Sequence, residues 1–147
     1  MAYFLTMIFV RKLIAKDYCN CELNHKSEME RVMDLDAAIG AHAEWKLKLR
    51  SAAEKKESLD VATISADSNC PLGKWLHGEA KAKYGSLPHY QDCVSNHAHF
   101  HSEAGKVAAM VNQGKFSEQL IGSGSPFGDA SGKVGVAIVK LKKEVNL

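Results

Sequence analysis

The most constraining feature of this sequence is the stretch from Cys70 to Trp75, which reads Cys-Pro-Leu-Gly-Lys-Trp. Downstream, His97-Ala-His-Phe-His101 places two histidines one helical turn apart, and upstream His42 opens the stretch His-Ala-Glu-Trp. Together these stretches supply one thiolate and three imidazoles, which is the number and type of ligands in a closed tetrahedral zinc site. A fold that uses all four must bring three separate segments of the chain to one point.

The composition indicates a globular, helical protein. The 147 residues are enough for one domain with an N-terminal arm, and 46% apolar with 24% charged residues is typical of a chain that buries a core. Three prolines and few β-branched runs leave little room for strands. The net charge of +2, from 19 basic and 17 acidic side chains, argues against a nucleic acid partner.

The first 30 residues are predicted to be an arm of uncertain role. The apolar segment 1–10 is about half as long as a bilayer span. It has three interpretations: a short docking helix, the stub of a membrane segment, or translated sequence upstream of the true start. Any membrane contact is expected only there.

Cys19 and Cys21, with His25 nearby, have an unusual spacing for a metal site and are interpreted as an incidental pair.

No convincing signal peptide is present, and the cysteines are too sparse for a secreted disulfide scaffold. We therefore expect a cytoplasmic, reducing setting.

Apolar periodicity and capping residues predict four main helices, over 28–56, from Cys70 to about 83, over 87–112 and over about 126–145. They also predict a short helical piece at 116–121 and a connection over 58–69. Pro71 and Pro126 fit the first helical positions, with Asp67, Ser68 and Asn69 as candidate caps for the helix at 70.

Five side chains are candidate metal ligands on inward faces: His42, Cys70, Cys93, His97 and His101. Cys93, His97 and His101 stand at i, i+4 and i+8, so the outer two lie about 12 Å apart. One metal ion therefore pairs His101 with His97, or Cys93 with His97. The predicted place of Cys70 at a helix N-terminus favours its thiolate form, but spacing alone does not choose between the two cysteines.

These motifs resemble the bacterial chemoreceptor zinc-binding domain, CZB. The resemblance rests on His42-x-x-Trp45, Cys70-x-Leu-Gly-x-Trp75 and His97-x-x-Phe-His101, and it runs from about Leu35 to the C-terminus. It implies an all-α bundle of four to five helices over residues 31–147, with one zinc ion in its core. It also implies that the ligands are His42, Cys70, His97 and His101, which would make Cys93 a core neighbour.

The resemblance implies a sensor or regulatory module rather than an enzyme. Its expected setting is bacterial chemotaxis or cyclic-di-GMP signalling, with a chemoreceptor or a diguanylate cyclase as partner and with zinc level or oxidation of the ligand cysteine as the signal. The alternative is a metal-dependent hydrolase or a Cys/His thiol enzyme. It is disfavoured because no acidic residue stands in the ligand motifs as in HExxH, and Glu44 and Glu103 are predicted to lie off the inward face. A di-iron bundle lacks its paired ExxH motifs.

A homodimer is also predicted. The last helix carries a heptad-like apolar seam, which is typical of a bundle member or of a dimer face. The seam consists of Phe127, Ala130, Val134, Ala137, Ile138, Leu141 and Val145.

Overall fold

A computed structural model describes residues 33–146, and within that range the chain is helical with no strand. The all-α prediction is therefore confirmed. The α-helices are α1 (Leu35–Ala43), α2 (Trp45–Lys55), α3 (Val61–Ser65), α4 (Pro71–His77), α5 (Glu79–Tyr84), α6 (Pro88–Asn112) and α7 (Pro126–Val145), with 3₁₀ turns at Asp67–Asn69 and Glu118–Leu120.

Some sequence expectations concern residues that lie outside the described range. These are the arm over residues 1–30, the apolar segment 1–10 and the Cys19/Cys21 pair. The residues from Met33 onward form one compact unit, and the placement of a domain boundary after residue 30 stays a prediction. Among the described helices, none is long and apolar enough to cross a bilayer.

The predicted helix over 28–56 is divided in the structure. Its described part begins after Asp34, whose carboxylate accepts a hydrogen bond from the Ala37 amide (2.9 Å), as expected of an N-cap. The helix is interrupted at Glu44, between α1 and α2, and α2 ends where Lys56 adopts a left-handed conformation. A hydrophobic pattern does not reveal such a break because both halves keep the same inward stripe.

The expectation of a connection without helix over 58–69 was wrong, because α3 and a 3₁₀ turn form there. Asp60 caps α3 through the amide of Thr63 (3.1 Å). The side-chain amide of Asn112 fixes the preceding backbone, since it accepts from the Leu59 N–H and donates to the Leu59 carbonyl (both 2.8 Å). A helix of five residues is too short to produce a visible periodicity.

The apolar core lies mainly between α6 and α7, with α1 against α7. The seam of α7 is buried from Phe127 to Leu141, and Val145 at its end is partly buried. Phe127 meets Phe100 of α6 with ring centroids 5.5 Å apart. The seam is thus covered by the chain's own helices, so it no longer supports the predicted homodimer, which stays a prediction.

Candidate metal centre

Four potential ligand atoms meet where α1, α4 and α6 come together. One nitrogen each of His42, His97 and His101 and the sulfur of Cys70 all lie within 4.8 Å of one another. The three imidazoles are buried and the cysteine is half-buried. His42 comes from α1, Cys70 from the position just before α4, and the other two from successive turns of α6. The structure therefore brings together the four residues that the family resemblance implied.

Two of the imidazoles are oriented by backbone carbonyls. His42 donates from Nδ1 to the carbonyl of Ala38, one turn earlier in α1 (2.7 Å). His101 donates from Nδ1 to the carbonyl of Ile64 at the end of α3 (2.8 Å). A carbonyl only accepts, so Nδ1 carries the proton in both rings. The two Nε2 atoms, which are buried without a hydrogen-bond partner, therefore keep a free lone pair.

His97 lies at the centre of the cluster and is completely buried (0% exposed). Its Nε2 is 3.1 Å from Cys70 Sγ, and its ring centroid is 4.7 Å from that of His101 and 5.1 Å from that of His42. On the other side of the ring, Nδ1 is 3.6 Å from a carboxylate oxygen of Asp67. Nε2 thus faces the cluster in this ring as well.

Cys70 occupies the N-cap position of α4, and Pro71 is in the first helical turn as predicted. The cap is the sulfur itself, which accepts a hydrogen bond from the Gly73 amide (3.2 Å). The expectation that Asp67, Ser68 or Asn69 would cap this helix was wrong. The sulfur takes over that task because it lies directly over the first free amides of α4.

The electrostatics of Cys70 differ from the sequence expectation. Burial raises the pKa of the Cys70 thiol, and the hydrogen bonds from the Gly73 and Leu72 amides only partly oppose that effect. The helix N-terminus therefore does act on the sulfur in the predicted direction. Its effect is smaller than the cost of placing a negative charge in a half-buried site.

Two of the three imidazoles, those of His97 and His42, are held in their neutral form. The pKa of His97 is lowered to about 3, mainly by burial and in addition by the neighbouring His101 and His42. Burial also lowers the pKa of His42, against the hydrogen bond to Ala38. Neutral imidazole is the form that offers a lone pair to a metal ion.

Gly73 allows the close approach between α4 and α6 at this point. A Cβ atom there would lie 1.8 Å from the Asp67 carbonyl oxygen and 3.0 Å from Cε1 of His97. The first contact is with backbone, which cannot move aside without shifting the 3₁₀ turn. Glycine at this position therefore lets both the Asp67 carbonyl and the His97 ring lie close to α4.

The donor set fits a zinc ion. Zinc bonds of about 2.0–2.1 Å to nitrogen and 2.3 Å to sulfur, at tetrahedral angles, correspond to about 3.3–3.6 Å between ligand atoms, and the observed upper limit is 4.8 Å. Buried nitrogens without a partner are costly in a protein interior, and His42 Nε2 and His101 Nε2 are two of them. A metal ion would satisfy both.

Cys93, the fifth candidate, is not among these four ligand residues. It is completely buried in the apolar core (0% exposed), and burial raises the pKa of its thiol to about 12. Of the remaining histidines, His99 is exposed, and His89 is half-buried beside Asp92 (3.9 Å). Glu103 is buried (7% exposed) and pairs with Lys106, and it is not among the four clustered residues.

Sequence reasoning missed the second layer of the site. Asp67 lies between His97 and the exposed His77, with its Oδ2 2.7 Å from His77 Nε2. Burial raises the pKa of Asp67, but contacts with His77 and His97 outweigh burial and lower it overall. The signal in the sequence was an acidic residue three positions before Cys70, which we interpreted only as a helix cap.

The comparison with protein families agrees with this geometry. Residues 42–108 match the family model of the chemoreceptor zinc-binding domain, CZB. The resemblance drawn from the motifs is thereby confirmed. The CZB match covers just under half of the chain and includes all four residues of the cluster. No curated protein and no solved structure matches the chain.

Proposed function

We propose that this chain is a zinc-dependent sensor module, with one zinc ion held by His42, Cys70, His97 and His101. The observation that carries the proposal is the convergence of three imidazoles and one sulfur within 4.8 Å, with the Nε2 atoms of His42 and His101 buried without a partner. Three nitrogens and one sulfur form a donor set that suits zinc better than magnesium or calcium, which prefer oxygen. The CZB match supports the same metal.

The chain's own residues prepare this site in a defined way. The carbonyls of Ala38 and Ile64 accept the Nδ1 protons of His42 and His101 and so orient both rings. Gly73 leaves room for the third ring, that of His97, beside the start of α4. Zinc, when bound, would keep the sulfur as a thiolate and join the segments that carry the ligands. Four protein ligands fill a tetrahedral coordination sphere and leave no position for a catalytic water, which favours a regulatory role over a hydrolase.

We infer further that the module works in bacterial chemotaxis or cyclic-di-GMP signalling in the cytoplasm, as a homodimer with a chemoreceptor or a diguanylate cyclase as partner. Its input is zinc level or oxidation of Cys70. A difference between the two described cysteines supports oxidation of Cys70 as the input. Cys70 is half-buried, whereas Cys93 is completely buried and burial raises the pKa of its thiol to about 12. An oxidant therefore reaches the ligand sulfur before it reaches the core thiol.

The first test is metal content and affinity. The purified protein should bind one zinc ion per chain, and Ala at any of the four positions should weaken binding strongly in competition with a chromophoric chelator. Cobalt substitution should add a sulfur-to-cobalt charge-transfer band that Cys70→Ala abolishes. Cys93→Ala is the matched control and should leave affinity and band unchanged. Tight binding in Cys70→Ala, with loss in Cys93→Ala, would reverse the assignment.

The second test concerns the input. Zinc-loaded protein is treated with a mild peroxide while zinc release is followed and modified cysteines are mapped by mass spectrometry. We expect release to track oxidation of Cys70. If zinc stays bound after Cys70 is oxidised, or if another cysteine reacts while Cys70 stays reduced, oxidation is not the signal and zinc occupancy becomes the favoured input.

A further inference from the structure

Asp67 lies in the 3₁₀ turn just before Cys70, and its carboxylate faces two histidines of different character. Oδ2 is 2.7 Å from Nε2 of His77, which is exposed at 43%, and 3.6 Å from Nδ1 of the fully buried His97. That His97 nitrogen is one of the buried polar atoms without a hydrogen-bond partner. A carboxylate therefore stands directly outside the central ring of the cluster, just beyond hydrogen-bond distance.

The other two rings show what His97 lacks. His42 and His101 each donate an Nδ1 proton to a backbone carbonyl, at 2.7 and 2.8 Å, which fixes both the tautomer and the direction of Nε2. His97 has no such carbonyl, and Asp67 occupies the corresponding place on its Nδ1 side. Ligand histidines in metal sites commonly donate their second N–H to a carboxylate or a carbonyl, which orients the ring and strengthens it as a donor.

We propose that Asp67 is the positioning residue for His97, and that His77 holds the Asp67 carboxylate in place from the solvent side. Asp67 accepts the Nδ1 proton of His97, so that Nε2 is left unprotonated and directed at the cluster. His77 orients the same oxygen from outside, since a carboxylate in a short turn would otherwise rotate toward water. This inference rests on the proposed zinc function and adds the residues that control affinity at that site.

The proposal predicts a graded series in zinc affinity. Loss of an outer-layer partner typically lowers metal affinity 10–100-fold, so Asp67→Ala should weaken zinc binding by about that factor. Asp67→Asn keeps an acceptor oxygen but loses the charge and should weaken binding less. His77→Ala should have the smallest effect of the three, because His77 acts only through Asp67.

Asp92→Ala is the matched control. Asp92 also stands beside a histidine, His89 at 3.9 Å, but on the exposed side of α6. The control removes the same charge and the same kind of pair, so its zinc affinity should equal that of the wild type. Affinities are measured with zinc alone against a chromophoric chelator, and the melting temperature of the metal-free form is recorded for every variant.

A second readout separates positioning from general support of the fold. Long-range ¹H–¹⁵N correlations on the zinc-loaded protein should show His97 protonated at Nδ1. In Asp67→Ala that proton should exchange faster with water, while the Nδ1 protons of His42 and His101 keep their rates. Equal affinity of Asp67→Ala and wild type, an unchanged His97 proton, or an affinity loss matched by an equal loss of metal-free stability would each overturn the assignment.

The outcomes also separate this inference from the function on which it rests. If the wild type does not bind zinc at micromolar concentration, the proposed function fails and the role of Asp67 fails with it. If the wild type binds zinc and the four ligand variants lose it, but Asp67→Ala does not weaken it, only the positioning role is overturned.

Discussion

Helix α6 has two unlike sides, and the comparison between them explains how this small fold is built. Toward α7 it presents Phe100, Ala104 and other apolar groups that fill a close-packed core. Toward α1, α3 and α4 it presents His97, His101 and Gly105, and the contacts are hydrogen bonds, imidazole rings and a close backbone approach. The first interface is held by burial of apolar area, which needs no further component. The second leaves polar atoms unpaired, and we propose that zinc completes it.

Removing zinc should produce the largest effect and should divide the molecule along this line. Because the ligands come from α1, α4 and α6, metal binding adds its free energy to folding. Chelation should lower the melting temperature clearly. It should also speed hydrogen exchange in 35–43 and 61–77 far more than in 126–145. Uniform acceleration, or an unchanged melting temperature, would contradict the division into two interfaces.

Truncating the apolar interface should destabilise the protein whether or not zinc is present. Phe127 is fully buried against Phe100, and removing a buried phenylalanine costs about 3–5 kcal/mol. Phe127→Ala should therefore lower the free energy of unfolding by a similar amount in the zinc-loaded and the metal-free protein. Denaturant titrations of both forms measure this. A loss confined to the zinc-loaded form would mean that the two interfaces are coupled.

Gly73→Ala should act on the polar interface alone. The added methyl group meets the Asp67 carbonyl and the His97 ring, and overpacking of this kind costs about 1–3 kcal/mol. We expect weaker zinc binding and a lower melting temperature. Gly132→Ala in α7 is the matched control, since a Cβ there meets nothing within 4 Å. Equal zinc affinity in the two variants would show that the close approach at Gly73 does not affect the metal site.

The smallest effect is expected at Cys93, which lies on the same helix as the ligands but in the apolar core. Cys93→Ala removes one buried sulfur and should cost about 1 kcal/mol without changing zinc stoichiometry. In the wild type, Cys93 should resist alkylation in the native state because it is fully enclosed and its pKa is about 12. Fast native-state labelling of Cys93 would show that the α6–α7 side opens readily.

The sequence predicted those parts of the fold that local chemistry decides. Pro126 correctly predicted the start of α7, and Pro71 that of α4. The length of α6 followed from its periodicity. The five-residue helix α3 was missed because it is too short for a visible periodicity and is preceded by a contact between distant segments, Asn112 with Leu59. The break at Glu44 was missed because a hydrophobic pattern continues across it.

The candidate site was predicted less evenly. The spacing of Cys93, His97 and His101 along α6 allowed either outer residue to bind the same metal ion as His97. Only the family resemblance selected four ligands among the five candidates. The structure separates the two cysteines by placing Cys93 in the core. The apolar pattern of the α7 seam is compatible with an internal core and with a dimer interface. Periodicity shows which face of a helix is apolar but not what covers it. Asp67 was missed because an acid before a helix resembles an ordinary cap.

The position of Cys70 has a consequence for how mutations in this chain combine. The Cys70 sulfur caps α4 by accepting a hydrogen bond from the Gly73 amide. The same sulfur is the fourth potential ligand atom of the cluster. The start of a helix and the composition of a coordination sphere therefore depend on the same side chain, and most substitutions there change both. Serine in place of Cys70 would preserve the first task and impair the second, because a hydroxyl caps a helix well but binds zinc poorly. In the metal-free protein, the difference in free energy of unfolding between Cys70→Ser and Cys70→Ala should therefore measure the cap.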